Sequence, residues 1–240
     1  MSSLEIDKHI SFPMNGTPVP GHLVVPSASG PMPGIVVIQE VFGLNDDIRD
    51  IARKFAGEGY VVLAPDLYHG DESIDLEEAR KYRMAMNMEQ AERELDSAVR
   101  YLRAFPKVNE LPVGVIGFCM GGGLCLNTAI RASAPGTAAI GAAAIFYGGG
   151  DLPTNEQLQR IQCPIFGAYG SEDTGIPPDK VQQFQVQLEA NGVDNEIHIY
   201  QGAGHSFFNT ARPSEFNPRA ADEAWSHVTA FFARALQQSL

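Results

Sequence analysis

The sequence predicts an α/β fold: a doubly wound, mostly parallel sheet in three layers, with an antiparallel N-terminal edge. Three observations lead there. Short continuous apolar runs such as Gly34–Ile38 and Tyr60–Ala64 read as strands covered on both faces. Amphipathic stretches separate them, so that strand and helix alternate from Gly34 onward, the pattern of parallel strands joined by helical crossovers. Before this alternation, Asn15-Gly16 parts two segments of strand character, Leu4–Phe12 and Val19–Val25, as a tight hairpin turn does.

Each later element has a local reason. Ser27 to Pro33 is a Pro/Gly/Ser loop. A helix begins near Asn45 or Asp46, with Ile48, Ile51, Ala52 and Phe55 on one face and Gly57 and Gly59 at its end. Pro65-Asp66 closes the next strand, and Leu67 to Ser73 is loop. Leu76–Asn87 reads as helical, and Glu89–Phe105 more strongly so, with a stripe of Ala91, Leu95, Ala98, Leu102 and Phe105. Val113–Ile116 is a strand, Leu124–Ala132 a small-residue helix, and Ala138–Phe146 another central strand. Pro164–Tyr169 is the next strand, followed by a helix opened by Pro177 or Pro178 and carried by Val181, Phe184 and Leu188. Glu196–Tyr200 is the last strand. Ala220–Leu236 is the last helix, with Ala224, Trp225, Val228, Phe231 and Phe232 inward. No repeat, linker or composition break interrupts the chain, so residues 1–240 are expected to form a single domain.

Composition narrows the function. A net charge of −12 makes nucleic acid or an anionic membrane a poor partner. The N-terminal residues lack the apolar core of a secretory signal, and no run is long enough to span a bilayer. The 3 cysteines, at 119, 125 and 163, form no Cys-x-x-Cys pair and no disulfide framework. These features point to a cytoplasmic protein; a monomer or weak dimer with no cofactor and no metal is expected. No His/Cys/carboxylate cluster has metal-ligand spacing, and His22, His69, His198 and His227 are scattered.

The chemistry centres on Gly117-Phe118-Cys119-Met120-Gly121, between a strand and a helix. This is the Gly-x-Ser-x-Gly nucleophile elbow with Cys in place of Ser. Its bland alternative is a tight turn around a small buried cysteine. Glu40, Cys119, Asp173 and His205 each fall just after an expected strand end, where open α/β sheets bind ligands. Nucleophile, acid and histidine occur in the chain order of the α/β-hydrolase triad. A thiolate is the nucleophile, an imidazole takes and returns its proton, and a carboxylate fixes the ring's tautomer. Asp173 could instead cap a turn; Glu172 is the other candidate acid, disfavoured by spacing. His205 could be a loop residue and Glu40 a surface carboxylate. The amide of Met120, with one near Val41, would form an oxyanion hole. The helix N-terminus after Cys119 favours a thiolate there.

Gln39-Glu40-Val41-Phe42-Gly43-Leu44-Asn45, Pro65-Asp66-Leu67-Tyr68, the cysteine elbow and Gly202-Ala203-Gly204-His205-Ser206-Phe207 together resemble the dienelactone hydrolase (carboxymethylenebutenolidase) family, over nearly the whole chain. The resemblance implies an α/β-hydrolase core without a large lid domain. It also implies a Cys119–His205–Asp173 triad that opens a lactone or ester through an acyl-thioester. Glu40 is then a fourth catalytic residue that helps deprotonate the thiol, and the Met120 and Val41 amides are the oxyanion hole. One departure is informative. Family members that cleave dienelactone grip its carboxylate with arginines, one of them four residues after the catalytic His, where this chain has Asn209. Arg80 and Arg83 lie near the other position without aligning cleanly. A neutral Asn lacks the charge-assisted fork of an Arg, so a less charged ester or lactone is expected. Phe42, Tyr82, Arg83, Phe118, Phe207 and Asn209 are the expected substrate contacts, with Phe208 a further pocket ring. The alternative from another class is a thiol redox sensor or non-catalytic binding protein. Cys125, nearly two helical turns past Cys119, is expected to face inward and to serve poorly as a resolving thiol.

Overall fold

The computed structural model describes residues 3–237. The expected domain of residues 1–240 therefore includes five positions outside the described residues. The chain forms two compact units, Met1–Val115 and Ile116–Leu240. Its fold class is α/β, with an eight-stranded, mostly parallel sheet whose N-terminal strands are antiparallel.

In the first unit, β1 (Leu4–Met14) and β2 (Thr17–Pro26) form the expected antiparallel hairpin. Asn15 and Gly16 both take left-handed backbone, as the Asn-Gly hairpin turn demands. β2 runs antiparallel to β4 (Val61–Pro65), which pairs in parallel with β3 (Gly34–Ile38). β3 and β4 are buried at every residue, which is why they read as unbroken apolar runs. Helix α1 (Asp46–Gly57) is capped by Asn45, whose side chain accepts from the Ile48 amide, and it buries Ile48, Ile51, Ala52 and Phe55. Helix α3 (Met88–Arg103) buries Ala91, Leu95, Ala98 and Leu102 against the strands, while Phe105 lies past its end and is half-buried. Helix α2 (Leu76–Ala85) buries only Ala79.

β5 (Val113–Phe118) crosses from one unit to the other. In the second unit, β6 (Ala142–Phe146), β7 (Ile165–Gly170) and β8 (Asn195–Tyr200) are parallel neighbours. Helix α4 (Met120–Arg131) packs on β6, α6 (Pro178–Ala190) on β7 and β8, and α7 (Pro218–Phe232) on β7. A single π turn, Ala233–Gln237, extends α7. Trp225 on α7 is half-buried, with Ala224, Val228, Phe231 and Phe232 fully inward.

α4 starts at Met120, directly after Cys119 as expected of the elbow, and its glycine-rich first turn precedes the Leu124–Ala132 segment of helical character. Two expectations are corrected. β6 begins at Ala142, so residues 138–141 precede it. A four-residue helix, α5 (Asn155–Leu158), closed by a Thr154–Gln157 capping box, lies where no element was expected.

Candidate active site

Cys119 sits at the junction of β5 and α4 with φ 53° and ψ −114°. For a residue with a side chain this left-handed backbone costs on the order of 1–3 kcal/mol. Neighbours impose it. The Cys119 amide donates to the Phe146 carbonyl at 3.0 Å, fixing the end of β5 against β6. A Cβ on Gly117 would lie 2.0 Å from the Gly121 carbonyl oxygen, so strand and helix can meet at this angle only through glycine. A Cβ on Gly122 would meet the Gly148 Cα at 2.6 Å, which seats α4 directly on the chain leaving β6.

Asp173 follows β7. Its Oδ1 accepts the amides of Gly175 at 2.8 Å and Ile176 at 2.9 Å, leaving Oδ2 to face outward from the turn. His205 follows β8. The two loops are laced: Ser171 donates its amide to Tyr200, Glu172 to Ala203, and the Gly202 amide donates to the Ser171 hydroxyl. This brings His205 Nδ1 to 2.7 Å from Asp173 Oδ2, while Nε2 lies 3.2 Å from Cys119 Sγ. A sulfur, an imidazole and a carboxylate drawn from positions 86 and 32 residues apart in the chain thus form one continuous relay. Glu172, the other candidate acid, is exposed, whereas Asp173 is buried.

Electrostatics follow the geometry. Burial opposes a charge on the His205 ring, but hydrogen bonds to Asp173 and Cys119, and their charges, outweigh it and raise its pKa to about 10. Burial likewise pushes the Asp173 carboxyl up, but the His205 contacts and the two amides prevail, so its pKa lies below the ordinary carboxylate value. The other thiols differ. Cys125 is buried with Sγ on the Ala144 carbonyl at 3.3 Å, and burial pushes its pKa far up; burial pushes Cys163 up to about 12.

In the first unit, Glu40 is buried and Val41 half-buried in a turn just after β3, where the Gly43 amide reaches back to the Glu40 carbonyl. The loop after β4 braces that turn. Leu67 donates its amide to Gln39 Oε1 at 3.1 Å, and the Ser73 amide donates to the Phe42 carbonyl at 3.1 Å. His69, in the same loop, lies 3.0 Å from the buried Glu94 carboxylate of α3. Tyr82, on α2, packs its ring 5.8 Å from that of Tyr68, and Arg83 is half-buried.

Several expected substrate contacts take other roles. Phe118 and Phe207 are 1% and 0% exposed. Phe118 packs 4.9 Å from Phe146 and stacks 5.7 Å from Phe208, and Phe207 packs 5.4 Å from Tyr200. These rings are core, and aromatic residues at strand ends give no sign in sequence of which face they take. Phe42 is buried too. Asn209 is 2% exposed and its Oδ1 accepts the Ala211 amide at 2.9 Å, so its carboxamide braces the loop after His205.

Sequence reasoning missed Tyr147. It follows β6, is buried, and its ring centroid lies 5.3 Å from that of His205. Its φ of 36° is left-handed, a genuine outlier for a bulky residue, costing about 1–2 kcal/mol. Among the described residues of this unit, the non-glycine positions with left-handed φ are Cys119, Tyr147 and Ser206, all at the relay. The only signal was an aromatic ring preceding three glycines at a strand end.

Among the described residues no group of three or more His, Cys, Asp or Glu is arranged to hold a metal ion, and no helix is long and apolar enough to cross a membrane.

Comparison with known proteins follows the same lines. The model of the dienelactone hydrolase family matches residues 19–236. A candidate carboxymethylenebutenolidase of Synechocystis sp. is 33% identical over 216 residues, covering 83% of this chain and 85% of its own. The crystal structure of a candidate dienelactone hydrolase from Klebsiella pneumoniae superposes with a TM-score of 0.85 at 28% identity, over 96% of this chain and 99% of that one. A dienelactone hydrolase-like promiscuous phosphotriesterase from metagenomic libraries gives 0.84 at 26% identity, over 96% and 98%.

Proposed function

Because this chain belongs to the dienelactone hydrolase family, and so to the hydrolases of carboxylic ester and lactone bonds, we propose that it cleaves a small, weakly charged ester or lactone with Cys119 as nucleophile. The observation that carries this reading is the relay of 3.2 Å from Cys119 Sγ to His205 Nε2 and 2.7 Å from His205 Nδ1 to Asp173 Oδ2. A nucleophile within reach of a base that is itself oriented by a third group is the arrangement nucleophilic catalysis requires.

The steps follow from the charges. Cys119 passes its proton to His205 Nε2, 3.2 Å away, and Asp173 stabilises the imidazolium that forms. The thiolate attacks the carbonyl carbon and forms a C–S bond; the carbonyl electrons move to oxygen. The Met120 amide, at the first residue of α4, and the Val41 amide are proposed to hold that oxyanion. Collapse breaks the C–O bond, and the departing alkoxide takes the proton from His205 Nε2. For a lactone this oxygen stays tethered to the acyl group. Sulfur is now in a neutral thioester, so its contribution to the basicity of the ring is lost while burial remains. The ring can therefore take a proton from water, whose oxygen attacks the thioester. The C–S bond breaks and the acid leaves. Glu40 is proposed to assist the first deprotonation of Cys119.

Substrate charge is limited by Asn209. Its Oδ1 accepts the Ala211 amide of its own loop, and its neutral carboxamide offers no cation for a carboxylate. A redox sensor usually has a resolving thiol close by, and here burial pushes the pKa of both Cys125 and Cys163 up, which disfavours the thiolate. The direct test is Cys119→Ala against a panel of p-nitrophenyl esters and lactones. Turnover should vanish while the fold and Tm persist; a variant with wild-type activity would overturn the assignment.

A further inference from the structure

We propose that Tyr147 is a positioning residue that sets the distance between the nucleophile and its base, through the single segment Phe146–Tyr147–Gly148. The inference rests on the triad reading above and concerns how the triad is held.

This short segment touches both reacting partners. On one side, the Phe146 carbonyl accepts the Cys119 amide at 3.0 Å, and Gly148 abuts the first turn of α4, where a Cβ would come within 2.5 Å of the Gly122 backbone. The nucleophile and its helix are therefore referenced to residues 146 and 148. On the other side, the Tyr147 ring packs 5.3 Å from the His205 ring at an interplanar angle of 60°, and 5.4 Å from Phe207 at 69°. The base is therefore referenced to residue 147. The Tyr147 amide donates to the Ala168 carbonyl at 2.7 Å, which ties the segment to β7, the strand that leads to Asp173. Three consecutive residues thus contact the backbone of the nucleophile, the ring of the base and the strand before the acid.

The backbone strengthens the case. A residue with φ 36° is comfortable only as glycine, and Tyr147 is followed by Gly148, Gly149 and Gly150. A ring is carried at a position where the backbone alone would favour glycine. Strain of this kind persists where surrounding structure over-determines it, and here the ring fills the space behind His205 with 1% of its surface exposed. Asp173 fixes one end of the imidazole but leaves it free to tilt about the Nδ1–Oδ2 contact. The tilted contact with the Tyr147 ring, 60° between the planes, restricts that freedom and keeps Nε2 aimed at Sγ. Tyr147 is proposed to act through His205, whose ring it packs against.

The test compares Tyr147→Leu, Tyr147→Gly and Tyr147→Phe with Cys119→Ala as control, all in the full chain. Leucine retains apolar volume without the flat face, glycine relieves the backbone, and phenylalanine keeps the ring. The leucine and glycine variants should lose about 10- to 100-fold in kcat with KM changed less than about threefold, because a misaim of about 1 Å is worth that much. The NMR titration of the His205 ring should shift to lower pH in the same variants, since its hydrogen bonds to Cys119 and Asp173 loosen. Tyr147→Phe should restore both readouts to within about threefold of wild type. Unchanged kcat and titration in the leucine and glycine variants, or a phenylalanine variant as impaired as leucine, would overturn the proposal. In the unaltered protein, NOEs between the Tyr147 and His205 ring protons should persist across the titration of His205; their absence overturns it without any variant needing to fold. If Cys119→Ala keeps full activity, the triad reading itself fails, an outcome distinct from failure at Tyr147 alone.

Discussion

Replacing Asp173 by asparagine changes one oxygen and tests the relay at its most buried member. Asparagine keeps the Oδ1 that accepts the Gly175 and Ile176 amides, so the loop should hold. At the other position it presents an NH2 group to His205 Nδ1 in place of an acceptor 2.7 Å away. Two losses follow. The first is electrostatic. The ring's pKa stands at about 10 against an ordinary 6.5. That rise is shared between Asp173 and Cys119, and the His205 side chain is 37% exposed. Divided between the partners and discounted for solvent screening, the part owed to Asp173 is ~2 kcal/mol, or roughly 30-fold in rate. The second is tautomeric. An NH2 facing Nδ1 makes that nitrogen the acceptor and places the neutral ring's proton on Nε2, toward the sulfur, where it cannot accept one. Together they should lower kcat/KM for p-nitrophenyl acetate by ~10²–10⁴-fold. The His205 titration, followed by NMR, should fall toward the ordinary histidine range. A folded Asp173→Asn enzyme within fivefold of wild type, with His205 titrating unchanged, would refute the reasoning.

Three further outcomes are expected. Gly148→Ala places a Cβ 2.5 Å from the Gly122 backbone; overpacking there should cost ~2 kcal/mol, or ~4–8 °C in Tm, with a lower kcat as the elbow shifts. Gly43→Ala combines a φ of +92° with a Cβ 2.6 Å from the Asp71 carbonyl, so both Tm and kcat should fall, since the same turn carries Glu40 and Val41. In pH dependence, the His205 contribution to stability is fully present below its ordinary 6.5 and disappears as pH rises through about 10. The Tm advantage of wild type over His205→Gln should therefore narrow between pH 6.5 and 10. Asp173, with its carboxyl held below 3.8, contributes above that value and loses its contribution as pH falls further.

Where the chain's local physics is strong, its structure could be read in advance. Gly34–Ile38 is a strand to the residue because a doubly covered parallel strand has only apolar side chains to show. Asn15-Gly16 gave the hairpin, and Asn45 the start of α1, because left-handed turns and N-caps select few residue types. The meeting of Cys119, His205 and Asp173 could be read because residues just after parallel strand ends share one edge of the sheet. What escaped depends on tertiary contact. Gly122 disfavours helix intrinsically, yet α4 runs through it and seats on the chain after β6, where a Cβ at 122 would meet the Gly148 Cα at 2.6 Å. Phe118 and Phe207 were assigned to a pocket, whereas their rings turned inward; hydrophobicity is the same signal for core and for ligand contact. Tyr147 has no motif, and its nearness to His205 is written in the backbone turn and not in the pattern of residues.

The central claim is a bond between sulfur and acyl carbon. Mixing the enzyme with excess p-nitrophenyl acetate, quenching in acid within the first turnover and digesting the protein for mass spectrometry tests it most directly. The account predicts one acetyl group on the peptide carrying Cys119, removed by hydroxylamine and absent from Cys119→Ala. Rapid turnover with no label on that peptide, or with the acetyl group on another residue, would contradict it.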